Sequence, residues 1–317
     1  MKHAVIISII AVLAAMLLPM LLVTPSSPAP EAPAHLDKDI SFTVKTESGI
    51  ETVDMASYLP GVLAGEMPAL FEEQALMAQA VAARTYILHR IEKGSTNHPE
   101  ADICNDPACC KAYSSTEQLQ ENWGNNFDAY YAKISNAVTS TDGEYLTYGG
   151  NLIEAVFHSS SAGATEASGS IWNDRPYLVS VESPETEEDV PNYVTEVTYT
   201  ADELEAKLTA NYPEMTISGD ASAWISDLET NASGRVQSVT VCGEKLTGAQ
   251  MRSVFGLRST SFTLSYADSQ FTFTVTGYGH GVGMSQYGAN VYAKQGWDYK
   301  EILAHYYPET QLTSAAG

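Results

Sequence analysis

Residues 4 to 23, AVIISIIAVLAAMLLPMLLV, run on without a single charge. About 20 apolar residues are what a helix needs to cross roughly 30 Å of hydrocarbon. A secretory signal usually has a shorter apolar part, of about 7–15 residues, and no small-x-small cleavage site follows directly here. We therefore read residues 1–23 as an N-terminal signal anchor, one transmembrane helix, rather than a cleaved signal. Lys2 at the short end puts the N-terminus in the cytoplasm and the rest of the chain outside. The next stretch, 24–38, has four prolines in 24–33 and little apolar surface, and reads as an extended linker. From Ile40 the text is globular to about Leu312, which predicts a domain over 39–312 and a frayed tail at 313–317.

That external part has an ordinary apolar content, since the chain is 44% hydrophobic. Its charge is more selective. With 16 Lys+Arg against 39 Asp+Glu, the formal net charge is -23. Phosphate neutralisation needs a basic face, so nucleic acid is excluded as a partner. Residues 41–53 alternate as a strand does. Residues 72–93 predict a helix, because Leu76, Ala80, Ala83, Ile87 and Ile91 share one face between Pro68 and Gly94. A second helix is expected over 122–138 and a hairpin over 144–158, turned at Gly149-Gly150-Asn151. Farther on, VTEVTYT predicts a strand and ADELEAKLTANY a helix. RVQSVTVCGEKLTG and TSFTLSYADSQFTFTVTG predict strand pairs, and GMSQYGANVYAKQG and YKEILAHYY predict terminal helices. Strands and helices mixed without strict βαβ alternation give an α+β fold.

Four stretches could carry chemistry. In GEMPALFEE, Glu72 and Glu73 fall in the first turn of the helix, where carboxylates complement its dipole. Glu66 instead sits among small and apolar neighbours. Two readings stand for it: a turn residue capping the helix, or a general acid, because a carboxyl partly removed from water becomes a proton donor near neutral pH. Arg84 lies off the apolar stripe, where a surface acid could pair with it. In NHPEADICNDPACCKAY, His98, Cys104, Cys109 and Cys110 supply one imidazole and three thiols, a soft donor set that suits tetrahedral zinc. Four protein ligands leave no open position, so such a zinc would be structural. The alternative is a disulfide, of Cys104 or Cys242 with one of the pair, or free thiols. The third stretch, FHSSSAGATEASGSIW, crowds His158, Ser159, Ser160, Ser161, Thr165 and Glu166 together. It has no nucleophile elbow and reads as a polar loop that hydrogen-bonds sugar hydroxyls, or as a solvated one. In the fourth, GYGHGVGMSQYGA, glycines including Gly281 and Gly283 permit close backbone approach. His280, Ser285, Gln286 and Tyr287 add the polar groups and the ring of a carbohydrate groove. No register satisfies a dinucleotide fingerprint.

Together, GVLAGEMPALFEEQALMAQAVAARTY, the Cys/His segment, FHSSSAGATE with its following Trp and PYL, GLRSTSF and GHGVGMSQYGA resemble the stage II sporulation protein D (SpoIID) family, septal peptidoglycan lytic transglycosylases, over about residues 55–307. The resemblance implies a two-lobed catalytic domain with a glycan groove and Glu66 as catalytic acid/base. It implies a substrate of glycan strands stripped of stem peptides by a partner amidase. It also implies a membrane scaffold partner, a place on the outer face of the cell membrane at the forespore septum, and a part in engulfment. Arg84 joins the two polar loops as the substrate-binding set. Some members carry a zinc-binding His/Cys segment with a second His where Cys109 stands here; thiolate can replace imidazole on zinc. Ala162 departs from the family's more frequent Ser-Gly-Gly run. The competing readings are a wall-binding module that enhances an amidase, and a zinc hydrolase, which chelation would stop and a Glu66→Gln change would spare.

Overall fold

A hairpin of β1 (Ser41–Thr46) and β2 (Gly49–Asp54), with the short strand β3 (Ile103–Cys104) parallel to β1, opens the fold and leads directly into helix α1 (Met55–Glu66). The structure, a computed structural model, describes residues 36–314. The anchor read at 1–23 and the linker up to residue 35 lie outside these, as do residues 315–317. Among the described residues no helix is long and apolar enough to cross a membrane. The linker was expected to reach residue 38, but Leu36–Asp39 form a 3-10 turn in which Asp37 is buried.

Nothing local predicts a helix over α1, because Pro60, Gly61 and Gly65 are poor helix residues. Packing overrides propensity here. A Cβ on Gly61 would stand 2.4 Å from the Tyr113 ring and one on Gly65 3.1 Å from the Ala112 backbone. The two glycines, one turn apart, thus let residues 112–114 lie across the helix, with Ser114 N–H donating to the Gly61 carbonyl at 3.1 Å. After Pro68 comes α2 (Glu73–Lys93), on which α1, a later helix over Phe127–Thr139 and the two terminal helices pack. The predicted single apolar face is too narrow a description: every residue from Ala75 to Ile87 is buried, Gln79, Arg84 and Thr85 included. Arg84 is fully buried and donates to both Asp37 oxygens at 2.7–3.0 Å, and to the Val138 and Glu144 carbonyls. It staples the entry turn to the stretch 138–144. Removing one partner of a buried pair costs about 3–5 kcal/mol.

The helix expected at 122–138 is two helices, α3 (Thr116–Trp123) and α4 (Phe127–Thr139). Gly124, with φ 50°, ends the first, in a conformation other residues adopt at a cost. The hairpin forms as β4 (Glu144–Tyr148) and β5 (Asn151–Leu152), joined by Gly149-Gly150. It stops at Leu152, because Phe157-His158 form β6 and pair elsewhere. The last strand, β14 (Gln311–Ser314), pairs with β4, so Thr313 and Ser314, read as frayed tail, are part of a sheet.

Residues 194–276 build a second lobe: β7 (Val194–Thr200), α5 (Ala201–Asn211), β8 (Ile225–Thr230), β9 (Val236–Val241), β10 (Glu244–Thr247), α6 (Gly248–Phe255), β11 (Phe262–Ala267) and β12 (Gln270–Thr276). Its sheets run β11-β12-β7 and β10-β9-β8. It has a core of its own around Leu204, Val239, Phe255, Phe271 and Phe273, apart from the larger core around α2. The chain returns through β13 (Met284–Ser285), which pairs parallel with β6, and continues through the last two helices, α7 (Gln286–Lys294) and α8 (Tyr299–Tyr306), to β14. The fold is α+β, as read, and it has two cores.

Candidate active site

The β6–β13 pair sets His158 beside Ser285 and brings the two polar loops together, with backbone bridges from Ser160 to Tyr278 and from Glu166 to Val282. The approach is close enough that a Cβ on Gly283, at φ 71°, would stand 2.0 Å from the Val156 carbonyl oxygen. Across from these loops ends α1, whose last residue is Glu66. Between them lies a groove of about 670 Å³, lined by Glu66, Tyr86, Lys111, Glu154, His158, Ser159, Trp172, Tyr278, His280 and Gln286 among others.

Glu66 does not cap α2. Its Oε1 accepts from the Ala112 N–H at 2.9 Å and its Oε2 from the Gln286 amide at 3.1 Å. Two segments far apart in sequence thus fix one half-buried carboxylate on the groove wall. The segment carrying Ala112 reaches it because Gly61 and Gly65 leave room.

The histidines are different in kind. His158 Nδ1 lies 3.2 Å from the Val282 carbonyl, which can only accept, so its Nε2 accepts from Ser161 Oγ at 2.7 Å. Burial pushes its pKa well below the ordinary value, and His280 and Arg235 push the same way. Burial likewise lowers His280 to about 3, with Lys111 and Arg252 adding to it. Its Nδ1 accepts from the Val282 N–H at 3.0 Å. Both rings are therefore neutral at pH 7 and offer dipoles and faces rather than positive charge. The His280 ring lies 5.1 Å from that of Trp172, which is half exposed, as is Tyr278. Exposed aromatic faces at a groove suit the apolar faces of sugars.

Of the predicted substrate-binding residues, His158, Ser159, His280 and Gln286 line the groove. The others hold it in shape. Arg84 belongs to the buried pair with Asp37 and stands outside the groove. Ser160 pairs with Tyr278 through backbone bonds in both directions. Ser161 N–H donates to Glu185 at 2.6 Å, and Ser285 Oγ donates to the same carboxylate while capping α7. Buried Glu185 so ties both loops to one anion. Thr165 bonds the backbone at Val179 and Val181. Glu166 accepts from Asn231 and Ser233 of the second lobe, at 2.6 and 3.0 Å. Gly281 packs against the Arg235 guanidinium, and the Tyr287 ring meets Phe71. Sequence reasoning missed Tyr86, Lys111, Glu154 and Tyr278 on the groove, and Glu185 behind it; Trp172 carried the only signal, in its position after the serine-rich loop.

Beside the groove, His98, Cys104, Cys109 and Cys110 bring their ligand atoms within 4.8 Å of one another. None of the sulfurs is joined in a disulfide, and Cys242 is remote in sequence, in the β9–β10 turn. The set fits a metal ion. His98 Nδ1 donates to the Ala101 carbonyl at 2.9 Å, which leaves the Nε2 lone pair facing Cys110 Sγ at 3.2 Å. Such an outer hydrogen bond is what orients a ligating imidazole. The Asn97 amide lies 3.4 Å from Cys109 Sγ and draws that thiol below its ordinary pKa.

The family described as SpoIID, stage II sporulation protein, matches residues 44–148. The chain is 36% identical to the stage II sporulation protein D of Bacillus subtilis (strain 168) over 269 residues, 84% of this chain and 76% of that one. It is equally similar, at 36% over 268 residues, to the Bacillus amyloliquefaciens protein of the same name. An amidase enhancer of Bacillus subtilis is 29% identical across 81% of this chain and 40% of its own length. An α+β protein with a groove of this kind and an acid on its wall is thus matched to sporulation proteins over most of its length. The chain belongs to the SpoIID family.

Proposed function

We propose that this chain is a lytic transglycosylase that cleaves peptidoglycan glycan strands freed of their stem peptides. The observation that carries the reading is the placement of Glu66: a carboxylate held by Ala112 and Gln286 on the wall of a groove lined otherwise by rings, two imidazoles, Lys111 and Glu154. Glu66 protonates the glycosidic oxygen as the bond to the muramic anomeric carbon breaks. The resulting carboxylate then takes the proton of that sugar's own C6 hydroxyl as its oxygen attacks the anomeric carbon, giving a 1,6-anhydromuramyl end. Acid–base work of this kind contributes about 10²–10⁴-fold in rate. Neutral His158 and His280 position the sugar rather than counter the oxocarbenium charge; the Glu66 carboxylate supplies negative potential for that. Zinc held by His98 and the three cysteines would be four-coordinate and closed, a staple for the 98–112 segment. Sporulation amidases and a membrane scaffold are the partners this reading calls for, with attachment to the membrane through residues 1–23.

Glu154 favours one specific alternative, because ordinary glycosidases use two carboxylates and release a hydrated reducing end. It is drawn off by Arg175 at 3.5 Å. The amidase-enhancer relative supports a second alternative, binding without cleavage. Product masses from peptide-free strands separate all three. The proposed reading predicts anhydromuramyl ends from the wild type and none from Glu66→Gln; hydrated ends point to hydrolysis, and bound but intact strands to a wall-binding module.

A further inference from the structure

Lys111 is the one lysine or arginine among the described residues that line the groove, in a chain where acids outnumber bases 39 to 16. Its side chain is only 8% exposed. The ammonium lies 3.7 Å from the centroid of the Phe157 ring and 4.1 Å from that of Tyr86. Ring faces hold a cation in place and leave its three N–H donors free. Glu66 and Glu154 act on the ammonium through space, but neither is bonded to it: Glu66 accepts from Ala112 and Gln286, and Glu154 faces Arg175. A largely desolvated ammonium, steered by aromatic walls into a groove that also carries two carboxylates, is a site built for an anionic group on the ligand.

The geometry points to Lys111 as the residue that selects strands freed of peptide, by pairing with a free carboxylate on the substrate sugar. Resting on the glycan reading of Glu66, the group it takes is the 3-O-lactyl carboxylate of muramic acid. Removal of the stem peptide exposes that carboxylate; with the peptide attached, the same carbon is a neutral amide. A charged acceptor rewards the buried ammonium, whereas an amide leaves it unpaired and adds bulk where the rings close in. Glu66 and Glu154 would by themselves repel an anionic sugar, so the cation also removes a barrier to entry. One residue thus links the strand's prior processing to its cleavage.

The test measures binding rather than turnover, in full-length Glu66→Gln protein. The probes are peptide-free glycan strands with free lactyl carboxylates, and the same strands with those carboxylates converted to methylamides. The free-acid strands should bind about 10- to 100-fold tighter, the range of a charge-assisted hydrogen bond. Adding Lys111→Met, which keeps the stem between the rings, should leave both probes bound equally weakly. Lys111→Arg should keep the preference, and rising salt should shrink it. A preference that persists in Lys111→Met, no preference in the parent, or no binding of either probe overturns the assignment. Lys111→Met protein that retains its metal and its melting temperature shows that the loss is not misfolding; a misfolded Met variant leaves the decision to Lys111→Arg and to the salt dependence, either of which overturns the assignment if the preference does not follow the charge. Should wild-type protein cleave neither probe while the preference still follows Lys111, the cleavage reading fails and the assignment stands. Should it cleave both equally, the reverse holds.

Discussion

The two walls of the groove are built by different physics. One comes from the end of α1 and residues 107–112, and carries the charges Glu66 and Lys111 next to the His98/Cys cluster. The other comes from the β6–β13 pair and its loops, and carries neutral imidazoles and exposed rings. The first wall is fixed by a glycine-cleared crossing, the second by a buried carboxylate, Glu185, that collects hydroxyl and backbone donors. On the proposed reading, chemistry that moves a proton belongs to the charged wall. Recognition of an uncharged sugar face suits the other. A groove of this kind does not need two catalytic acids if the substrate brings its own nucleophile.

Each wall can be broken separately. The largest effect belongs to Glu66→Gln, which should lower cleavage by at least about 10²–10⁴-fold while strands still bind; cleavage near the wild-type rate would place the acid elsewhere. Next comes the staple behind that wall. Cys110→Ser, or removal of metal by a chelator, should abolish bound metal, lower the melting temperature, and reduce cleavage by about 10- to 100-fold as Ala112 drifts from Glu66. Unchanged metal content in the variant would remove the cluster from the account.

On the opposite wall, Trp172→Ala should raise KM by about 2- to 10-fold with kcat nearly constant, since ring stacking contributes about 0.5–1.5 kcal/mol. A fall in kcat alone would contradict its binding role. The last effect is on stability rather than on cleavage. His280 is held near 3, below its ordinary 6.5, so the unfolded chain takes up a proton that the folded one refuses between those values. Stability present above about pH 6.5 is therefore lost as pH falls toward 3, by at most about 1.4 kcal/mol per unit from this group. His280→Asn should flatten that slope in denaturation curves taken from pH 7 to 4; an identical slope would mean the ring is charged in the fold.

How much of this was legible in the sequence depended on range. Local periodicity was enough for α2, for β7 with α5, for the β9–β10 and β11–β12 pairs and for both terminal helices. Spacing was enough for the His98/Cys104/Cys109/Cys110 cluster. Helix α1 was missed because Pro60, Gly61 and Gly65 read locally as breakers, and only the crossing of residues 112–114 shows why glycine is needed there. Arg84 was misplaced for a related reason: its partner Asp37 is 47 residues away, in a stretch composed like a linker. Polar loops posed the opposite problem. Thr165, Glu166 and Ser285 have the chemistry of ligand-binding groups, but their partners in the fold are Val179, Asn231, Ser233 and Glu185, and nothing local separates scaffold from contact. Lys111 looked like an ordinary lysine after two cysteines until Tyr86 and Phe157 closed around it.

The central claim is that one acid and the substrate's own hydroxyl suffice. Mass analysis of the products released from peptide-free glycan by wild-type protein, beside Glu66→Gln, tests it most directly. The account predicts ends one water lighter than hydrolytic ones, with none from the variant. Hydrated reducing ends from the wild type, or anhydro ends from Glu66→Gln, would contradict it.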